Sequence, residues 1–141
     1  MFVINATEAR KEWSTVIDNA IRQKPQFIKR TRDELVLSST GLLKEVLSPY
    51  KFVAKRYIED DSSITLSLDN IDLIENAPTE EEAKIKLAEE IKEYSEEFYK
   101  DFEFWSSAPN RKMHIPFVLR AIISDDINEI VGLIECQDGE N

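Results

Sequence analysis

The chain has 141 residues, 42% of them hydrophobic and 33% charged, with 28 Asp plus Glu against 18 Lys plus Arg for a formal net charge of −10. Seven Phe, four Tyr and two Trp beside three Gly and five Pro exclude a low-complexity or disordered chain, and the length suits one medium domain or two small ones. One cysteine, Cys136, and one histidine exclude an intramolecular disulfide and a zinc cluster, and no stretch approaches the ~20 apolar residues of a membrane helix; a cytoplasmic protein with no cofactor and no membrane partner is expected.

The charge is unevenly spread. Residues 1–50 hold 8 Lys/Arg and 6 Asp/Glu, whereas residues 51–141 hold 10 and 22. A weakly basic front and a strongly acidic back call for different partners: phosphates are drawn to the first and cationic proteins to the second.

Phe2 to Ile4 is a short apolar run suited to a strand, and Asn5 with Glu8 forms a capping box that opens a helix. Ala9, Trp13, Val16, Ile17, Ala20 and Ile21 then recur at helical spacing up to Pro25, which predicts one amphipathic helix. Arg10 and Lys11 lie off its apolar stripe, where they can meet a phosphate or a base edge. Gln26–Thr31 and Glu34–Ser39 read as two strands around a tight turn at Arg32-Asp33, with Lys29, Arg30 and Arg32 crowding the tip. Ser39 or Thr40 caps a second helix carrying Leu42, Leu43, Val46 and Leu47. The predicted order is β-α-β-β-α.

These residues resemble the Phd/YefM antitoxins, the DNA-binding antitoxins of bacterial toxin–antitoxin modules. The likeness runs from about Phe2 to Tyr50. It rests on Ile4-Asn5-Ala6-Thr7-Glu8-Ala9-Arg10 opening the first helix, Pro25-Gln26-Phe27-Ile28 entering the hairpin, and Leu35-Val36-Leu37-Ser38 leading to the second helix. The resemblance implies a homodimeric repressor of its own operator, with Arg10 meeting DNA and a C-terminal segment inhibiting a cognate toxin. Lys11, Lys29, Arg30 and Arg32 join Arg10 as DNA-binding candidates by charge and placement. The family often has a glycine in the hairpin turn, where this chain offers Arg32-Asp33.

In the back half, Phe52–Glu59 and Ser63–Leu68 read as a second hairpin turning at Asp60-Asp61-Ser62. After a turn at Glu75-Asn76-Ala77-Pro78, Thr79 and Glu82 cap the longest helix. Ala83, Leu87, Ile91, Tyr94, Phe98, Phe102 and Trp105 give it an apolar face of about seven turns, with glutamates on the other side. That apolar face is expected to pack against the chain's own hairpin or a dimer mate rather than to stay open for a ligand. Pro116 starts a further helix, and Asp126 with Glu129 caps a last one whose stripe is Ile127, Ile130, Val131 and Ile134. Cys136 belongs to that helix, and Gln137 to Asn141 fray beyond it.

The fold expected is therefore α+β, with residues 1–50 a Phd/YefM-like dimerisation and DNA-binding unit and residues 51–141 an acidic unit of hairpin and long helix. Its function is expected to be that of an antitoxin that binds operator DNA and a basic toxin, the toxin meeting Glu89, Glu93, Glu96 and Glu97. One rival is a dimeric interaction protein that uses only the acidic helix. Another is a nuclease using Arg111, Lys112 and His114, although a histidine beside a proline at a helix entrance more often sits at the surface or caps the helix.

Overall fold

In the computed structural model, which describes residues 2–140, β1 (Val3–Asn5) passes into α1 (Ala6–Lys11) through a cap in which the Asn5 side chain accepts from the Thr7 N–H at 2.7 Å. The helix predicted to run unbroken to Pro25 is instead two. Glu12, at φ −106° and ψ 33°, leaves the helical region, and α2 (Trp13–Arg22) starts anew. With that break, Ala9 of α1 and Val16 of α2 both pack with Ile28 of β2 (Gln26–Arg30). β3 (Asp33–Leu37) and α3 (Thr40–Val46) follow, and Ser39 Oγ accepts from the Leu42 N–H at 3.1 Å to cap α3.

The sheet order is β1-β2-β3, with β1 parallel and β3 antiparallel to β2. Arg30 pairs with Asp33, so the turn residues are Thr31 and Arg32, one position earlier than predicted. That register puts Leu35 beside Ile28 on the helix-facing side; a slip of one residue would turn it away. Thr31 takes a left-handed φ of 55° to make the turn.

Leu47–Asn141 forms a second unit, the first being Met1–Val46. Its sheet has the order β6-β5-β4-β7, from β4 (Phe52–Ile58), β5 (Ile64–Leu68), β6 (Ile74–Ala77) and β7 (Ile134–Asp138). Neighbours are antiparallel except β4 and β7, which run parallel. One sheet face is covered by α4 (Glu80–Lys100), α6 (Ile115–Ile122) and α7 (Ile127–Gly132). Phe52, Ala54, Leu66 and Leu68 of the sheet pack there with Ala83, Leu87, Ala88 and Ile91 of α4, Ala121 of α6 and Ile130 of α7. The apolar face of the long helix is thus core, as its spacing predicts.

Four expectations need correction. Ile74–Ala77 is a strand, not a turn, and Ile134–Asp138 is a strand rather than a helix end and frayed tail, so Cys136 sits in a sheet. Both strands lie at sheet edges and form by pairing with distant segments, which no local periodicity reveals. The long helix breaks at Asp101 (φ −126°, ψ 50°), so that Phe102 and Trp105 belong to a separate α5 (Phe102–Ser107). His114 is not at the surface. It closes a 3-10 turn (Lys112–His114) and is 4% exposed.

Arg56 ties the second unit together, pairing with Glu80 at the start of α4 at 2.8 Å and with Asp138 at the end of β7. Those two carboxylates hold its pKa above the ordinary arginine value, the hydrogen bond to Asp138 contributing most. The Thr79 side chain accepts from the Glu82 N–H at 3.2 Å, completing the predicted cap.

Candidate nucleic-acid and partner interfaces

Five cations of the first unit are candidates for nucleic acid, and the structure does not gather them on one surface. Arg10 and Lys11 occupy the last turn of α1, both exposed, with Lys11 3.8 Å from Glu8. Arg10 and Arg30 border the same depression of about 580 Å³, whose floor is Ala6, Ala9 and Ile28 and whose sides include Trp13 and Leu35. Alternation along β2 sends Lys29 to the opposite sheet face from Ile28 and Arg30. Arg32 stands in the exposed turn, beside the Arg30–Asp33 pair at 3.9 Å. The ion pairs here are exposed and weak, so they leave these cations available to phosphate oxygens.

Sequence reasoning missed how little of the unit's apolar surface is covered. Trp13 is 47% exposed and Leu35 50%, both in the depression shared with the two arginines. On the other sheet face Val3, Phe27 and Val36 form a cross-strand row, all exposed. Leu42 and Val46 of α3 are exposed as well. Strand alternation alone could have separated the Phe27/Val36 row from the Ile28 side, but the shortage of helices to cover the former could not be counted from periodicity.

On α4, Glu89, Glu93, Glu96 and Glu97 are all exposed. Glu93 and Glu97 line a shallow depression of about 250 Å³ with Leu73, Glu90 and Tyr94. Glu96 lies 3.8 Å from Lys92 and borders a different, more enclosed pocket, while Glu89 borders neither. Glu90 stands on the same polar side of the helix, and its partner was not legible. Glu90 shares a hydrogen bond with Glu75 of β6, and this bond, with burial, raises its pKa above the usual carboxylate range. Without β6, nothing in the sequence placed Glu75 beside α4.

Of Arg111, Lys112 and His114, the histidine is buried and the arginine lies against aromatic rings. The Tyr94 hydroxyl is 2.6 Å from His114 Nδ1, and the Arg111 guanidinium lies 5.9 Å from the ring centres of both Tyr94 and Trp105. Burial, reinforced by Arg111, pushes the His114 pKa down, against a smaller opposing pull from Asp72. His114, favoured in its neutral form, thus shares a hydrogen bond with the Tyr94 hydroxyl in a packed joint between α4 and the 3-10 turn. Lys112 is exposed. Among the described residues no group of three or more His, Cys, Asp or Glu side chains could hold a metal ion, and no helix is long and apolar enough to cross a membrane.

Comparison with known proteins places these features in a lineage. The PHD-like family model, described as "Antitoxin of toxin-antitoxin, RelE / RelB, TA system", matches residues 1–136. A solved structure from Syntrophomonas wolfei subsp. wolfei, described as an antitoxin part of a proposed toxin/antitoxin system, is 37% identical, with 99% of this chain and 100% of that one covered and a TM-score of 0.94. No curated protein matches. With a family model spanning both units and a solved antitoxin of the same fold, the chain belongs to the PHD-like antitoxins of toxin–antitoxin systems.

Proposed function

We propose that this antitoxin acts at two surfaces: as a homodimer of Phd/YefM type, its first unit binds operator DNA and represses its own transcription, and its acidic second unit binds and neutralises a basic toxin in the cytoplasm. The observation that carries the first part is the uncovered apolar surface beside exposed arginines. The buried apolar core of the first unit is Ala9, Val16, Ala20 and Ile28, two of them alanines, and so small a unit gains stability by burying Trp13, Leu35 or the Val3/Phe27/Val36 row against a second copy. A twofold dimer presents two copies of Arg10, matching the two halves of a palindromic site. There Arg10 bridges guanine O6 and N7, and Lys11, Arg30 and Arg32 neutralise phosphates. For the second part, Glu89, Glu93, Glu96 and Glu97 speed encounter with a cationic partner.

One observation favours a second reading. Lys29 and Arg30 occupy opposite faces of the sheet, as suits a dimerisation module with ordinary surface charge whose only working surface is the acidic helix. Fluorescence anisotropy over a salt series separates the two, using DNA from upstream of the gene, unrelated DNA, and an Arg10→Ala protein. The repressor reading expects selective binding that weakens steeply with salt and is lost in Arg10→Ala. Equal, feeble binding to all DNA leaves the interaction protein.

A further inference from the structure

We infer that the corner where α4 gives way to α5 is the docking site for a basic, amphipathic segment of the toxin. The inference rests on the toxin-binding reading of the second unit and supplies the apolar anchor that its glutamates lack. Five aromatic side chains run through the corner in unbroken contact. Tyr99 meets Phe102, Phe102 meets Phe98, Phe98 stacks on Trp105, and Trp105 meets Phe104, with ring centres 5.0–6.5 Å apart. Phe98 is buried and Phe102 and Trp105 are half-buried, but the two ends stand in the open, Tyr99 at 57% exposure and Phe104 at 60%. The exposed rings are braced from within by their buried neighbours, so a partner that covers them orders little that is not already ordered. Rigid aromatic side chains of this kind dominate the binding energy of protein interfaces.

Charge at the corner selects the partner. A depression of about 510 Å³ beside Phe104 is bordered by Asp101, Glu103, Ser107 and Ala108, two carboxylates and no cation. Glu93, Glu97 and Asp101 follow at intervals of four residues, so the acidic side of α4 leads into the corner. Among the described residues no ion pair takes up Glu97, Asp101 or Glu103. The aligned peptide dipoles of the 21-residue α4 add partial negative charge at this end. Residues 93–112 hold five carboxylates and three cations, and of those cations Arg111 is turned onto the rings of Tyr94 and Trp105, 5.9 Å from each centre. An arginine or lysine of the partner can lie over Tyr99 or Phe104 in the same way while it meets Asp101 or Glu103. A segment with cations on one side and apolar side chains on the other satisfies rings and carboxylates together. A second copy of this chain would instead bring the same carboxylates, and like charges oppose that contact.

The test uses the full chain and the basic protein encoded beside its gene. Calorimetric titration compares the unaltered chain with Tyr99→Ser, Phe104→Ser, the double variant Asp101→Asn/Glu103→Gln, and Ile85→Ser, an exposed apolar position nearer the start of α4. Tyr99→Ser and Phe104→Ser should each weaken binding about ten- to a hundredfold, the double variant about three- to tenfold with a shallower salt dependence, and Ile85→Ser less than about twofold. Thermal midpoints verify that each variant folds. Amide hydrogen exchange of the complex needs no variant and should show new protection over residues 97–108. Unchanged affinity in both ring variants, equal loss in Ile85→Ser, or exchange unaltered over 97–108 overturns the site and leaves the toxin-binding reading standing. An oligomer of the chain alone that dissociates in Phe104→Ser makes the corner a contact between copies, which also overturns the site. Failure of the unaltered chain to bind the basic protein overturns the toxin-binding reading and the site together.

Discussion

Thr31 turns the first hairpin at a φ of 55°, a conformation in which a β-branched residue crowds its own backbone. Glycine carries no such strain, so Thr31→Gly should stabilise the first unit by about 0.5–1 kcal/mol after the entropy of the unfolded glycine is counted, read as a rise in thermal midpoint. His114 gives a pH dependence of definite sign. Its folded pKa lies below the unfolded value of 6.5, so the fold favours the neutral ring; that contribution is complete above pH 6.5 and is lost as pH falls from there through the folded value. Glu90 acts oppositely, because its raised pKa makes the fold gain stability as pH falls through that value towards 4.5. In His114→Asn the side-chain oxygen replaces Nδ1 as acceptor for Tyr94, and urea midpoints should then fall less between pH 7.5 and 5 than in the unaltered protein. At this scale the sequence was legible where chemistry is local. The Asn5 and Thr79 caps act within three residues, whereas the Tyr94–His114 bond joins residues 20 apart and left only a histidine two residues before a proline to be read.

The elements divide along the same line. The α4 helix was readable because Ala83, Leu87, Ile91 and Phe98 keep helical spacing on a face that is now seen to be fully buried. Its break at Asp101 was not, since Phe102 and Trp105 continue the same apolar pattern on paper. The strands β6 and β7 carry no alternation strong enough to announce them; Ile134 and Cys136 face the core because their register pairs them with Phe52 and Ala54 of β4. Consequently the candidate DNA residues, placed by a local pattern and a family likeness, could be named in advance, whereas the Glu75–Glu90 contact needs β6 and α4 brought together. Leu87→Ala should cost about 2–5 kcal/mol in urea denaturation, because Leu87 is wholly buried at the centre of the helix-to-sheet contact.

At the scale of the molecule, the two units meet the problem of covering apolar surface differently. The second spends three helices and an arginine clasp on its own core, whereas the first leaves Trp13, Leu35 and a full sheet face unfinished. In the proposed homodimer, a carboxylate in the middle of that face would face its own copy. Val36→Asp should therefore shift sedimentation from dimer towards monomer and weaken operator binding in parallel; a dimer that persists would move the interface to the Trp13/Leu35 side.

The parallel pairing of β7 with β4 also sets a timetable for synthesis. The second unit cannot close its sheet until residues 134–138 have left the ribosome, while the first is complete in sequence by residue 46. At roughly 5–20 residues per second, the intervening stretch takes on the order of 5–20 s to make. For that interval the nascent chain offers a finished first unit with its apolar surface open. Neighbouring ribosomes on one message therefore hold such units close together before their own second units are complete.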